Sequence, residues 1–178
     1  MQSVKPPTSS GGGLSSPMDY EASCRASVER AKKTIEESID IAAKAHAIGS
    51  IGSAARSTHD PKFAEECIHL LGGYLTDEKC RFVRHSIASA LGFTQNPAAL
   101  KYLEGVLTSD EGKETTGDLR ANAVGAVGVI MSHTHYNGPK SAFEEGARIL
   151  QYVAENDRYR AKALAVEILK REGVLKQA

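Results

Sequence analysis

The chain has 178 residues, enough for one domain or a short repeat array, and its 22 Lys and Arg balance its 22 Asp and Glu at a formal net charge of zero. Neutrality argues against a nucleic-acid binder, because phosphate neutralisation by a basic excess supplies most of that affinity. No apolar run is long enough to span a bilayer, and Cys24, Cys67 and Cys80 form no C-x-x-C pair, so buried or idle thiols in a reducing, intracellular compartment are expected.

Residues 1–17 form a Gly, Ser and Pro tract that cannot bury enough apolar area to offset its ordering entropy, and they read as a disordered tail. The tract lacks the apolar core of a secretory signal. Residues 18–175 read as one helical repeat domain. Asp19 can cap a first helix running through Val28, Ala31 and Ile35. A second helix carries Ile41, Ala45, Ile48 and Ile51; only the alignment of repeats places a break between the two, near Ser38–Asp40.

Asp60-Pro61 then starts a helix, with Asp at the N-cap and Pro at the first helical position. Asn96-Pro97 repeats the device and Gly138-Pro139 occupies the third equivalent place. The helices they open are expected over Lys62 to about Leu71, Ala98 to Leu107, and Lys140 to Ala154. Gly72-Gly73 can end the first of them. Turns are expected at Thr76–Asp77, Ser109–Asp118 and Asn156–Asp157, the second being a long surface loop.

After each turn comes a copy of a nine-residue pattern. The copies are K-A-H-A-I-G-S-I-G from Lys44, R-H-S-I-A-S-A-L-G from Arg84, R-A-N-A-V-G-A-V-G from Arg120 and R-A-K-A-L-A-V-E-I from Arg160. Their leading residues are 40, 36 and 40 positions apart. A period of this size built from helices predicts an all-α solenoid of about four helical hairpins. The fifth and eighth positions are Ile48 and Ile51, Ala88 and Leu91, and Val124 and Val127; in the last copy Leu164 is followed by Glu167, so Ile168 must take the second apolar role. Such a stripe packs on the neighbouring hairpin.

With its acidic turn, its V-R or L-R head and its L-G or V-G close, the chain resembles HEAT-repeat proteins of the short type found in phycobilin lyases. Asp77 with Val83-Arg84 and Leu91-Gly92 matches closely, Asp118 with Leu119-Arg120 and Val127-Gly128 matches well, and Asp157 with Tyr159-Arg160 lacks the closing Gly. The resemblance implies the fold and says little about activity. Arg84, Arg120 and Arg160 read as a structural ladder reaching Asp77, Asp118, Asp157 or turn carbonyls of adjacent repeats. A row of anion-binding arginines is the other reading, and the recurrence of Asp with Arg favours the ladder.

Few residues point to chemistry. His133-Thr134-His135 is the only close histidine pair and a weak metal candidate, because a third ligand is needed and the surrounding composition suits a loop between helices. No metal or cofactor is expected. One enzymatic branch of the family resembles a hydroxylase with His-Glu dipeptides, and none of the six histidines here precedes Glu. Another resembles base-excision enzymes with a basic aromatic cradle, against which neutrality and the absence of Trp count. A third, the phycobilin lyases and phycobilisome-handling proteins, gives the alternative function. Glu36-Glu37 and Glu144-Glu145 point about 100° apart on a helix and form no dyad.

The expected function is therefore a non-enzymatic adaptor or assembly subunit that binds another protein through the inner face of the array. Its candidate contact residues are His46, Ser86, Asn122 and Lys162, the third residues of the four copies, with Arg81, His85 and Ser89 beside them.

Overall fold

The computed structural model describes residues 17–109 and 118–176. The described residues form eight α-helices and no strand: α1 (Pro17–Glu37), α2 (Ile41–Ser57), α3 (Pro61–Asp77), α4 (Arg81–Phe93), α5 (Leu100–Thr108), α6 (Asp118–Asn137), α7 (Lys140–Asn156) and α8 (Tyr159–Arg171), with a 3-10 turn at Pro97–Ala99 leading into α5. Residues 1–16, which include most of the expected tail, and residues 110–117, which hold most of the long acidic turn, lie outside the described residues.

Local chemistry explains several helix starts. The Asp40 carboxylate accepts from Ala42 N and separates α2 from α1 without a Gly or Pro. Asp60 accepts from Lys62 N and Phe63 N, with Pro61 at the first helical position. Asn96 accepts from Ala98 N at 2.9 Å and starts the 3-10 turn. The first helix begins at Pro17, so Asp19 lies within its first turn and is not its cap.

The helices pack in two rows. Those carrying the nine-residue pattern touch in succession, α2 on α4, α4 on α6, and α6 on α8. The others lie against them: α1 on α2, α3 on α2 and α4, α5 on α6, and α7 on α6 and α8. The fifth and eighth pattern residues Ile48, Ile51, Ala88, Leu91, Val124 and Val127 are all fully buried. In the last copy Ile168 is buried while Glu167 is exposed. The ninth residue decides how closely the row packs. A Cβ on Gly52 would lie 3.1 Å from Ala90 Cβ, one on Gly92 2.7 Å from Ala126 Cα, and one on Gly128 2.7 Å from Ile168 Cδ1. Glycine at this position is thus a spacing requirement between successive helices.

Three further sequence expectations fail. Gly72-Gly73 does not end α3, which continues to Asp77 with Leu75 buried. The Tyr102 ring occupies the space a Gly72 side chain would need, so Gly72 is a packing site inside the helix. In consequence the turn after α3 falls at residues 78–80, beyond Thr76–Asp77. His133 and His135 are not in a loop, because α6 runs on to Asn137. The buried Ile130, Met131 and Thr134 hold that extension in the core.

Candidate interaction groove

Of the residues expected to form a ladder, Arg120 makes buried contacts with Asp157 and with turn carbonyls. This side chain is 3 % exposed and meets Asp157, which is 4 % exposed, at 2.8 Å. Arg120 Nε donates to Asp157 Oδ2 at 2.9 Å, Nη1 to the Val106 and Ser109 carbonyls at 2.9 and 3.0 Å, and Nη2 to the Leu107 carbonyl at 2.6 Å. One guanidinium therefore caps the carbonyls left open at the end of α5 and pairs with the turn between α7 and α8. Directly after the turn that carries Asp157, α8 begins at Tyr159 with φ +57°, a left-handed backbone that non-glycine residues rarely adopt.

The other ladder positions differ among themselves. Asp77 ends α3 exposed, while Lys44, the head of the first copy and outside the expected ladder, meets Glu78 at 3.9 Å. Arg84 is half-buried on α4, and Arg160 is exposed at the start of α8. Asp118 opens α6, and its side chain lies outside the described residues.

Beside the pattern helices runs a chain of three connected hollows. The first, about 630 Å³, lies between α1 and α2, where Tyr20, Cys24 and Ser27 face His46, Gly49 and Ser53. The second, about 540 Å³, lies between α2 and α4 and shares Ala45, Gly49 and Ser53 with the first. Its far wall is His85, Ser86, Ser89 and Phe93. The third, about 410 Å³, shares Ser89 and Phe93 and continues over Asn122, Gly125 and Val129 of α6 to Arg160 and Leu164 of α8. The groove so formed is open and shallow, and its lining is mostly Ala, Gly and Ser.

Five of the seven expected contact residues line this groove: His46, His85, Ser86, Ser89 and Asn122. Arg81 and Lys162 are exposed on α4 and α8 but are absent from the lining of these hollows. The pattern residues were visible in the sequence; Phe93, Val129 and Arg56 were not singled out there. Phe93 and Val129 stay nearly half exposed within the groove, and the Arg56 guanidinium stacks 4.6 Å from the Phe93 ring centroid. The Ser50 and Ser86 hydroxyls donate to the carbonyls of His46 and Phe82 one turn earlier on their own helices.

Of the histidine pair, His135 is tied into the end of α6. His135 Nδ1 lies 3.5 Å from Glu172 Oε2, and its ring meets Phe143 edge-on and lies beside Tyr136. The Ser132 hydroxyl donates to Glu172 Oε1 at 2.6 Å, and Arg171 Nε donates to the same oxygen at 3.0 Å. Burial pushes the Glu172 carboxyl up, but the Ser132 hydroxyl, Arg171 and His135 outweigh it and hold the group below the usual carboxylate range. This cluster ties the end of α8 to the end of α6. No three His, Cys, Asp or Glu side chains among the described residues are grouped to hold a metal ion. Burial, followed by the nearby Glu66 charge, pushes the Cys67 thiol up to about 11, which marks it as a core residue and a poor nucleophile. No described helix is long and apolar enough to cross a membrane.

Comparison with known proteins returns no matching family model, no matching curated protein and no matching solved structure.

Proposed function

We propose that the chain is an α-solenoid of four HEAT-like hairpins, α1–α2, α3–α4, α5–α6 and α7–α8, serving as a non-enzymatic adaptor or assembly subunit. The groove along the pattern helices holds a segment of another protein. The observation that carries this reading is the continuity of the three hollows, which share lining residues from α1 to α8. Recurrence of one glycine contact between successive pattern helices supports the repeat architecture.

The chemistry of the groove suits binding. It is long, open and small-featured, which fits a polypeptide segment better than a small molecule, since small ligands are mostly enclosed. Gly49 and Gly125 have nothing within 4 Å of an added Cβ, so larger side chains there fill the groove and leave the core alone. A Gly49→Leu/Gly125→Leu variant with an unchanged circular dichroism spectrum tests the reading in affinity capture from native extract. Proteins held by the intact chain and lost by the filled variant support it. An identical set captured by both rejects the groove as the binding face.

A further inference from the structure

We propose that Tyr102 is a covalent acceptor for activated acyl groups, with His69 as its general base and Glu65 orienting that base. The cluster lies on α3 and α5, none of its residues lines the three hollows, and it does not depend on the interaction reading above. Glu65, His69 and Gly72 stand at i, i+4 and i+7 of α3 and so share one face of that helix. Tyr102, from α5, lies against this face.

Each group has a partner that fixes its role. His69 Nδ1 and Tyr102 Oη are 2.5 Å apart, and His69 Nε2 lies 3.5 Å from Glu65 Oε1. An ionised carboxylate can only accept, so the proton of a neutral His69 ring is assigned to Nε2. The Nδ1 lone pair is then left to accept from the Tyr102 hydroxyl. Nucleophile, base and orienting group thus stand in the order that activates a hydroxyl for attack. Gly72 supplies the seat: the edge of the Tyr102 ring, as far as the carbon that bears the hydroxyl, fills the space a Cβ there would need. A larger residue must displace the ring from where its oxygen reaches His69. The Lys101 ammonium, 4.9 Å from the ring centroid, adds a positive charge that favours negative charge building up during attack.

The site is open, with the Glu65 and His69 side chains 59 % and 44 % exposed. An open site suits a small donor and one-for-one modification, since turnover draws on enclosure to orient substrate and exclude water. In the step, Tyr102 Oη bonds to the acyl carbon, its proton passes to His69 Nδ1, and the bond from that carbon to the leaving group breaks. The leaving group departs with the electron pair and takes the proton from His69. The products are an aryl ester at Tyr102, a neutral His69 and the protonated leaving group. An ester oxygen has no proton to donate, so modification also ends the hydrogen bond that joins α5 to α3 here.

The test treats the full chain with N-acetylimidazole, whose leaving group is imidazole, and follows each tyrosine by peptide mapping, with removal by hydroxylamine marking the ester. By exposure alone Tyr136 and Tyr159, at 78 % and 71 %, react before half-buried Tyr102. The proposal predicts the reverse, with Tyr102 acetylated at least about tenfold faster than either, a modest share of the roughly hundredfold or more that a placed general base supplies. His69→Gln can still hydrogen-bond the hydroxyl but is no base, and it should bring Tyr102 down to the rate of the exposed tyrosines or below. Gly72→Ala displaces the ring while leaving His69 in place and should do the same, and Glu65→Gln should slow Tyr102 by a smaller factor. In each variant unchanged rates at Tyr136 and Tyr159 verify the fold; His69 and Glu65 are exposed, so their substitutions decide if Gly72→Ala folds poorly. Tyr102 reacting no faster than Tyr136 and Tyr159, or reacting fast but indifferent to His69→Gln, overturns the proposal. A fast Tyr102 that responds to His69→Gln but not to Glu65→Gln overturns the role of Glu65.

Discussion

Replacing Arg120 by Met removes the side chain that joins α5 to the turn between α7 and α8. The substitution nearly conserves the aliphatic bulk and deletes every donor. It leaves the Asp157 carboxylate buried without its cation and opens the Val106, Leu107 and Ser109 carbonyls. Breaking a buried pair from one side costs about 3–5 kcal/mol, a large part of the roughly 5–15 kcal/mol that holds a domain together. Urea unfolding followed by circular dichroism reads this as a lower midpoint at unchanged slope. The internal control is Arg25, whose contact with Asp60 at 2.6 Å is 48 % and 36 % exposed on the two sides. Truncating Arg25 should cost less than about 1 kcal/mol in charge interaction, as exposed pairs do. Arg120→Lys keeps the charge but has only three donors and no planar fork, so it should fall between wild type and Met. If Arg120→Met costs no more than the Arg25 truncation, the view of Arg120 as the strut between α5 and the turn joining α7 to α8 is wrong.

Glycine substitutions should divide by face. Gly73→Ala and Gly105→Ala, where an added Cβ has open space, should each stabilise by roughly 0.5–1 kcal/mol through helix propensity, whereas Gly92→Ala must push against the α6 backbone at Ala126 and should lower the melting temperature. Cys67 keeps its proton in the folded chain up to about pH 11, while an unfolded thiol loses it near 9. Unfolding then releases a proton, so this part of the stability is full below about pH 9 and declines as pH rises towards 11; the decline should vanish in Cys67→Ala, measured by urea midpoints across that range. Iodoacetamide on the native protein should label half-buried Cys24 and Cys80 well before Cys67. The Glu172 contribution has the opposite sign: present above the ordinary carboxylate range, it is lost as pH falls through the lowered value, and Glu172→Gln should speed amide exchange at Val174 and Leu175, whose N–H groups bond the Leu169 carbonyl.

Much of the helical layout is legible in the sequence because it depends on neighbours along the chain. Asp60-Pro61 and Asn96-Pro97 act within two or three residues of themselves, and the apolar stripe of each pattern copy follows from helical spacing alone. What was missed depends on residues far along the chain. Gly72-Gly73 looks like a stop until Tyr102, thirty positions away in sequence, is seen lying on Gly72. The continuation of α3 also explains why Lys44 meets Glu78, while Asp77 remains outside at the helix end. His133 and His135 suit a loop by composition, yet contacts with Phe143 and Glu172 keep the last turns of α6 in place. The same limit applies to the groove. The third pattern residues His46 and Asn122 could be found by repeat alignment, but Phe93 falls just after a copy of the pattern, and its exposure is set by where α2 and α6 lie beside it. Arg56 gave no sequence signal, because its role arises from stacking on that ring.

The central claim is that the groove face holds a partner protein, and position-specific photocrosslinking tests it most directly. A photoreactive residue replaces Gly49 or Gly125 in the groove, or Gly73 or Gly105 on α3 and α5 in the other, outer row, all four being sites where an added Cβ meets nothing within 4 Å. In native extract the groove positions should give discrete protein adducts that the outer positions do not. Adducts equally strong from both faces, or found only from the outer row, would contradict the account.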